Sequence, residues 1–318
     1  MTTLLADWLA AQAVDPKLAS VVASMAAASA EIAGVLRLAP IAGQTGLAGH
    51  TNVQGEAQKA LDVISNDIVL KHIGQNAEIS ILVSEELDEA VHLQNQGGYM
   101  VATDPLDGSS NLDVNVTVGT IFSVLDAGKG LLQKGTAQLA AGYAAYGPAT
   151  SLVLTFGPSV AVFTLDASGQ FVLTLDTVAV APASGEYAIN TARERFWDAA
   201  TKGYVSENVA GETGPAGKRY NMRWVGSMVA DIHRILMRGG IFLYPLDSET
   251  VEKGGRLRLL YEANPMAMIV EAAGGASTTG RAKILELQPT GIHQRVPVIL
   301  GSAEEVARVE AWYAGDRG

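Results

Sequence analysis

The sequence predicts an α+β protein whose two halves are built differently. Apolar segments of helical periodicity come first, followed by runs of β-branched and aromatic residues that indicate an antiparallel sheet. Past Pro182 helices and strands alternate, which is typical of an α/β half with a mixed sheet. At 318 residues the chain exceeds roughly 250 to 300 residues, the size at which one core stops growing. We therefore predict an N-terminal α+β domain over 1–181 and a C-terminal α/β domain over 182–318.

The first long helix is predicted from the spacing of its apolar residues. These recur three or four positions apart, at Leu18, Val22, Met25, Ala28, Ile32 and Leu36. Because Glu31 and Arg37 interrupt the segment, we interpret it as a core helix rather than a membrane span. The Gly-rich stretch 41–55 then predicts a loop that could serve as a lid.

A second helix is predicted over 56–73, with Asp62 and Asp67 on its polar side. Two short apolar runs follow, over 79–83 and 99–103, and each is directly followed by acidic residues. Further strands, rich in β-branched and aromatic residues, indicate an antiparallel meander over 116–125, 151–156, 160–165 and 171–175.

The C-terminal half is predicted from its caps and breakers. A helix over 227–237 stops before Gly239, and a strand follows over 241–244. Asn264 and Pro265 have the chemistry that opens a helix, which predicts that Glu271 lies in its last two turns. A final helix opens at Ser302, with a spacing to Glu305 that is typical of a capping box.

Composition excludes several classes of function. The formal net charge of -11 argues against nucleic acid or a membrane surface as a partner, because both are held by clustered Lys and Arg. The absence of cysteine excludes disulfides, thiolate metal sites and a cysteine nucleophile. The N-terminal segment lacks a basic region followed by a long apolar run, so we expect a cytoplasmic protein.

The segment DPLDGSSNLD concentrates Asp104, Asp107 and Asp113 directly after a predicted strand. Mg²⁺ prefers carboxylate, carbonyl and water oxygens, so Asp104 and Asp107 with the Leu106 carbonyl make a credible half-site. Three backbone amides beside it could hold phosphate oxygens: those of Gly108, Ser109 and Ser110. An ordinary Asp-Gly turn between two strands explains the same residues about equally well.

Glu85 and Glu86 favour the metal site over the turn. If their strand neighbours the one before Asp104, the two acidic clusters repel each other unless cations bridge them. The five histidines show no pairing at metal spacing, so no zinc site is predicted. Ser109 and Ser110 lie outside any GxSxG elbow, which disfavours covalent catalysis.

A family resemblance covers most of the chain, from about Thr51 to Gly301. The chain resembles class I fructose-1,6-bisphosphatase in the ordered segments DPLDGSSNLD, VGTIFSV, AAGYAAYGPAT, RWVGSMVADIHR, GGIFLYP, LRLLYEANPMA, EAAGG and IHQRVPVILGS. The resemblance implies a layered sugar-phosphatase fold and hydrolysis of D-fructose 1,6-bisphosphate, in gluconeogenesis or the Calvin cycle. The wider group of lithium-sensitive phosphatases also contains inositol monophosphatases, which the acidic motif alone does not separate.

The resemblance also implies a cofactor and its ligands. The cofactor would be Mg²⁺, two or three ions per subunit, with Mn²⁺ as a substitute. The matching ligands are Glu85, Asp104, the Leu106 carbonyl, Asp107 and Glu271, with Asp62 near a further ion. Asp67 and Glu86 match the pair that orients and deprotonates the attacking water.

Substrate contacts implied by the resemblance are Asp107, Gly108, Ser109, Ser110, Asn190, Arg223, Tyr244 and Arg256. Asn190 and Tyr244 would hold the 6-phosphate of the sugar bisphosphate. Arg223 would reach into the site of a neighbouring subunit, which implies a homotetramer.

Departures from the family pattern keep further readings open. Trp224 stands where the family usually has Tyr and Arg256 where Lys is common, which keeps sedoheptulose 1,7-bisphosphate as a second substrate. Animal members of the family bind inhibitory AMP through a Thr-Gly-Glu turn, a Lys-Tyr pair and an Arg. The counterparts here are Val14 to Pro16, Gly98 with Tyr99, and Asp126, so two cationic partners are missing and AMP inhibition is predicted to be weak or absent. An inositol-monophosphatase-like hydrolase is a rival that is disfavoured, because ANPMAMIVEAAGG replaces the tryptophan-aspartate motif of that group. A non-catalytic sugar-phosphate sensor is disfavoured because the acids needed for water activation are intact, at Asp67, Glu86, Asp104 and Asp107.

Overall fold

The structure is a computed structural model that describes residues 2–44, 47–51 and 57–315. The helices in this part of the chain are α1 (Leu5–Ala11), α2 (Pro16–Ala42), α3 (Ala60–Gly74), α4 (Ala199–Ala210), α5 (Met228–Arg238), α6 (Asn264–Ala272) and α7 (Ala303–Ala314). Of the loop predicted over 41–55, residues 45–46 and 52–55 lie outside the described residues.

Ten strands precede residue 181, the predicted boundary, and seven follow it in the described part of the chain. The N-terminal half contains β1 (Leu47–Thr51), β2 (Ala57–Lys59), β3 (Ile79–Ser84), β4 (Val91–His92), β5 (Tyr99–Asp107), β6 (Val118–Asp126), β7 (Ala140–Tyr146), β8 (Thr150–Thr155), β9 (Val160–Leu165) and β10 (Phe171–Leu175). The C-terminal half contains β11 (Glu186–Ala188), β12 (Asn221–Met222), β13 (Ile241–Tyr244), β14 (Leu257–Arg258), β15 (Ala276–Thr278), β16 (Arg295–Val296) and β17 (Val298–Gly301).

Two sheets dominate the described part of the chain. The larger has eight strands in the order β10-β9-β8-β7-β6-β5-β3-β4 and is antiparallel except where β3 and β5 run parallel. The smaller has five strands in the order β12-β11-β13-β17-β15. Parallel pairing of β11 with β13 and antiparallel pairing of β13 with β17 make it mixed, as predicted.

Helices and sheets alternate in layers. The helices α1 to α3 cover one face of the larger sheet, where Met25 packs in one core with Phe122 and Phe163. The opposite face packs on α5 and α6, which also cover the smaller sheet. The outer face of the smaller sheet packs on α4 and α7. This layered α+β arrangement confirms the predicted fold class.

The helix α2 is long and apolar enough to pass a simple test for a membrane span. Its predicted apolar stripe is buried inside the protein, however, with Val22, Met25 and Ile32 fully covered. The stripe packs in the same core as the larger sheet, so the prediction of a core helix is confirmed.

Several local predictions were wrong. The predicted loop over 41–55 contains β1, and the helix predicted over 56–73 begins only at Ala60, after β2. The strand β7 was not predicted, because its sequence AAGYAAY is rich in Ala, which is depleted in strands. Asn264 does not cap α6, since the chain is already helical before it, as a π-helical turn over Leu259–Ala263. At α7 no capping box forms: Ser302 Oγ donates to the Ala181 carbonyl, and the Glu305 carboxylate accepts from Lys218.

Candidate active site

A cleft of about 300 Å³ lies between the two halves of the chain, at the carboxyl ends of β3 and β5. Since these strands are parallel neighbours, the acidic residues that follow each of them meet at one edge of the sheet. Acids from several stretches line the cleft: Asp62, Glu85, Glu86, Asp104, Asp107 and Glu262.

A bulge in β5 brings Asp104 and Asp107 to the same side. In a regular strand residues three apart face opposite sides, but the register with β6 shifts between these two residues. Pro105 lies inside the bulge, where its missing N–H costs no ladder hydrogen bond. Thr120 Oγ1 donates to the Pro105 carbonyl at 2.8 Å, and the Leu106 N–H donates to Asp104 Oδ1 at 2.9 Å.

The next residue has to be glycine. Gly108 has a φ of 77°, in the left-handed region, and a Cβ there would lie 2.8 Å from the Cβ of Ser227. This close approach lets Asp107 Oδ2 accept hydrogen bonds from Ser227 Oγ at 3.1 Å and from the Val229 N–H at 3.0 Å. Asp107 is thereby held at the first turn of α5, where the helix dipole favours a negative charge.

Glu85 and Glu86 are carried by the turn that follows β3. Ser84 Oγ donates to Asn66 Oδ1 of α3 at 2.7 Å, which joins the end of this strand to the helix that carries Asp62. Glu85 is buried and lies 2.9 Å from the Arg258 guanidinium. Asp62 is also buried and lines the cleft.

Glu262 enters the cleft from the π-helical turn between β14 and α6. The backbone N–H of Arg258 donates to Glu262 Oε2 at 2.5 Å, and the guanidinium of Arg258 lies 3.9 Å from the same carboxylate. Arg258 is therefore an internal cation shared between Glu85 and Glu262. A π-helical turn is uncommon and occurs often at functional sites, because it displaces side chains from the regular helical positions.

The electrostatics of the cleft are those of crowded anions. Asp104, Asp107 and Glu262 present carboxylate oxygens within 4.8 Å of one another. Burial, and then repulsion by Glu85, raises the pKa of both Asp104 and Glu262 well above its usual range. Burial raises the pKa of Asp107 to about 6, against the two hydrogen bonds that it accepts.

This donor set fits a hard divalent cation. It consists of oxygen atoms only, and its carboxylates are buried close together with one arginine beside them. The raised pKa values mean that keeping these groups ionised costs the protein free energy in the absence of a cation. Cation binding would remove that cost, which is the physical reason to expect a metal here.

The far end of the cleft has an aromatic wall formed by Trp224, Phe242 and Tyr244. The Trp224 ring stacks on Phe242 with centroids 5.8 Å apart and meets Tyr244 edge to face at 5.7 Å. The Arg256 guanidinium lies over the Tyr244 ring at 5.7 Å. An exposed cation beside a phenol hydroxyl provides donors for a phosphate group at this end.

The loop that leads to α5 closes one side of the cleft. Both carboxylate oxygens of Asp231 accept from this loop, from the Val225 N–H at 2.9 Å and the Gly226 N–H at 3.0 Å. Burial raises the pKa of Asp231 to about 6, and the two backbone donors oppose that shift. Asp231 thus fixes the loop that carries Trp224 and Gly226 into the cleft.

The predicted ligand Glu271 does not belong to this cluster. It lies nine residues beyond Glu262, about 13 Å further along a helix that rises 1.5 Å per residue. Its carboxylate accepts from Ser277 Oγ at 2.6 Å, and the residue does not line the cleft. The prediction for Glu271 was therefore wrong, and Glu262 is the acid that the second half contributes.

Three other predicted residues lie outside the cleft of this single chain. Asp67 is exposed on α3. Asn190 uses its side chain to accept from the Ala192 N–H, as the cap of a short helical turn. Arg223 is exposed at the end of β12. The remaining predicted residues line the cleft: Asp62, Glu85, Glu86, Asp104, Leu106, Asp107, Gly108, Ser109, Ser110, Tyr244 and Arg256.

Sequence reasoning missed Glu262 and Arg258. Both lie in RLRLLYEANP, a segment whose apolar residues are almost all buried. A charged residue inside a buried apolar run is costly unless it has a partner, and that cost was the available signal. Two oppositely charged residues four positions apart in a buried apolar run indicate an internal ion pair at a polar site.

Comparison with known families covers nearly the whole chain. The family model of the fructose-1-6-bisphosphatase N-terminal domain matches residues 6–176, and that of the C-terminal domain matches residues 180–314. A class 1 fructose-1,6-bisphosphatase of Acinetobacter baumannii is 52% identical over 305 residues, covering 94% of each chain. One from Neisseria meningitidis is 48% identical over 320 residues, covering 99% of each chain.

Solved structures show the same fold. The holo form of Leishmania major fructose-1,6-bisphosphatase superposes with a TM-score of 0.94 at 37% identity, covering 99% of each chain. The apo form of the same enzyme gives a TM-score of 0.87 at 35% identity, covering 99% of this chain and 100% of the other.

Proposed function

Because this chain belongs to the fructose-1,6-bisphosphatase family, we propose that the acidic cleft is where it carries out the reaction of that family. The chain hydrolyses D-fructose 1,6-bisphosphate to fructose 6-phosphate and phosphate. The observation that supports this location is the set of buried carboxylate oxygens of Asp104, Asp107 and Glu262 within 4.8 Å of one another.

We propose Mg²⁺ as the cofactor, with Mn²⁺ as a substitute. Glu85, Asp104, Asp107 and Glu262 would hold it together with the Leu106 carbonyl, and Asp62 would serve a further ion. When bound, the cation neutralises the phosphoryl oxygens and stabilises the leaving alkoxide. The protein supplies the fixed, buried oxygen donors that this chemistry needs, and the halves 1–181 and 182–318 each contribute acids to the set.

The side chains of the cleft divide the remaining work. Glu86 is half-buried at the edge of the cleft, and we assign it as the base that accepts a proton from the attacking water. The backbone amides of Gly108 to Ser110 would hold the 1-phosphate at the start of a helical turn. Asp67 stays a predicted partner of Glu86, to be tested by substitution.

The aromatic wall and Arg256 would recognise the end of the substrate that carries the 6-phosphate. Tyr244 and Arg256 would bind the 6-phosphate, with the Trp224 ring against the sugar. Asn190 stays a predicted contact of the 6-phosphate.

Exposure of Arg223 supports its proposed reach into a neighbouring subunit, and hence a homotetramer. We place the enzyme in the cytoplasm, with sugar bisphosphate as its partner and without nucleic acid or membrane.

The competing substrate and functions are less well supported. Sedoheptulose 1,7-bisphosphate is not favoured, because the relatives compared above are named for fructose 1,6-bisphosphate. An inositol-monophosphatase-like hydrolase and a non-catalytic sensor are disfavoured on the same ground.

Phosphate release tests the proposal. The purified chain with Mg²⁺ is assayed against fructose 1,6-bisphosphate, sedoheptulose 1,7-bisphosphate and inositol 1-phosphate. We expect the first to have the highest kcat/KM, and Asp104→Asn to abolish turnover while circular dichroism stays unchanged. A folded D104N variant with near-normal activity would refute the assignment of the cleft.

A further inference from the structure

His293 connects the two segments that carry acids into the cleft from opposite halves of the chain. Its Nδ1 lies 2.8 Å from the hydroxyl of Tyr261, the residue before Glu262. Its Nε2 lies 3.2 Å from the Asp88 carbonyl, in the turn that begins with Glu85 and Glu86. The imidazole therefore bridges a turn of the N-terminal half to the π-helical turn of the C-terminal half.

The partners of the ring determine which nitrogen carries the proton. A backbone carbonyl can only accept, so Nε2–H is the donor to Asp88. In the neutral ring Nδ1 is then an acceptor, and the Tyr261 hydroxyl donates to it. Each contact has one donor and one acceptor, which fixes the ring in one orientation.

The surroundings make this bridge a defined connection. Tyr261 is fully buried, in one apolar cluster with Val83 of the strand that leads to Glu85. The backbone beside His293 is also tied to the π-helical turn, since the Leu259 N–H donates to the Gln294 carbonyl at 2.8 Å. A shift of Tyr261 or of the Asp88 turn would therefore be passed through the ring to the other segment.

We propose that His293 is a positioning residue for the cation site. It holds Glu85 and Glu262 at the separation that a shared divalent cation requires, without touching cation or substrate itself. This inference rests on the proposed function, because it gives His293 a role only if the cleft binds a cation. Residues that orient metal ligands through hydrogen bonds are an established determinant of metal affinity.

The test compares variants that break or retain the bridge. His293→Phe keeps a ring but removes both hydrogen bonds, and Tyr261→Phe removes one. His293→Gln can restore both, because its amide oxygen accepts and its amide nitrogen donates. His233→Phe is the matched control, since Tyr143 and His233 form a comparable pair at 2.9 Å that does not line the cleft.

Two readouts are used: Mn²⁺ affinity of the metal-free enzyme by isothermal titration calorimetry, and the Mg²⁺ concentration for half-maximal phosphate release. We expect H293F to weaken both roughly tenfold, the low end of the range for residues behind metal ligands. Y261F should weaken both in the same direction, H293Q should recover most of the loss, and H233F should bind as the wild type does. The KM for fructose 1,6-bisphosphate at saturating Mg²⁺ should stay unchanged in all four.

The outcomes separate the two proposals. Wild-type Mn²⁺ affinity in folded H293F overturns the positioning role, as does an equal loss in H233F. If H293F does not fold, Y261F and H293Q decide: wild-type affinity in Y261F, or no binding by a folded H293Q, overturns it. Wild-type enzyme that neither binds Mn²⁺ nor releases phosphate would refute the proposed function itself.

Discussion

Replacing Glu262 with Gln should uncouple stability from catalysis, because the cleft holds anions together that only a cation makes favourable. Two full charges 4.8 Å apart repel by about 3.5 kcal/mol at an effective dielectric constant of about 20. Glu262 experiences this from both Asp104 and Asp107, whereas its attraction to Arg258 at 3.9 Å is worth about 4 kcal/mol on the same scale.

The net relief in the metal-free protein follows from these opposing terms. The repulsions from Asp104 and Asp107 exceed the attraction to Arg258 by about 3 kcal/mol. Repulsion by Glu85 adds to that figure, and partial protonation of the carboxylates reduces it. We therefore expect metal-free E262Q to be more stable than the wild type by about 1 to 3 kcal/mol. Its amide oxygen can still accept the Arg258 N–H.

Catalysis should respond in the opposite direction. Residues behind metal ligands already cost 10- to 100-fold when removed, so loss of a ligand should lower kcat/KM by at least about 100-fold. Urea unfolding in a chelator gives the stability, and phosphate release against Mg²⁺ concentration gives the activity. Glu271→Gln is the control, because its carboxylate bonds Ser277 outside the cleft. Wild-type Mg²⁺ activation in E262Q, or loss of activity confined to E271Q, would refute the reasoning.

Three further outcomes are expected. Arg258→Met should destabilise the metal-free protein by about 3 to 5 kcal/mol, since Glu85 and Glu262 lose their internal cation. Mg²⁺ should reduce the difference in unfolding free energy between the variant and the wild type. An equal difference with and without Mg²⁺, measured by urea unfolding, would contradict this. The pKa of Asp231 is about 6 in the folded state against an ordinary value of 3.8, so near pH 6 and below the folded state binds more protons than the unfolded state. The contribution of Asp231 to stability should therefore rise as pH falls from 7 toward 5. Urea unfolding midpoints plotted against pH should have a flatter slope for D231N than for the wild type. Millimolar AMP should leave phosphate release unchanged, because the side chain of Tyr99 is surrounded by Asp15, Glu78 and Asp126, which repel a nucleotide phosphate; strong inhibition would show that phosphate is bound elsewhere.

The larger elements could be predicted because local sequence determines them. The apolar stripe of α2 is predicted by apolar residues three and four positions apart. All residues of the stripe except the last, Leu36, are buried. The acids that follow β3 and β5 lie together because parallel neighbouring strands end at the same edge. Neither inference needed knowledge of distant contacts beyond the pairing of those two strands.

The contribution of the C-terminal half to the cleft depended on geometry that sequence patterns do not carry. Asn264 and Pro265 look like the start of a helix, yet helical structure begins five residues earlier through a π-helical turn. That turn carries Glu262 into the cleft, whereas a helix opening at Asn264 draws attention to Glu271. The propensity signal of a π-helical turn is weak, and this turn is held by a contact with a distant segment, since the Leu259 N–H donates to the Gln294 carbonyl.

The location of bound cations would test the account most directly. Crystals grown with Mn²⁺ and fructose 1,6-bisphosphate would locate the ions by anomalous diffraction. We expect Mn²⁺ peaks in contact with Glu85, Asp104, Asp107 and Glu262, beside the 1-phosphate and away from Glu271. Well-ordered substrate with Mn²⁺ peaks only outside this cleft would show that the crowded carboxylates serve another purpose.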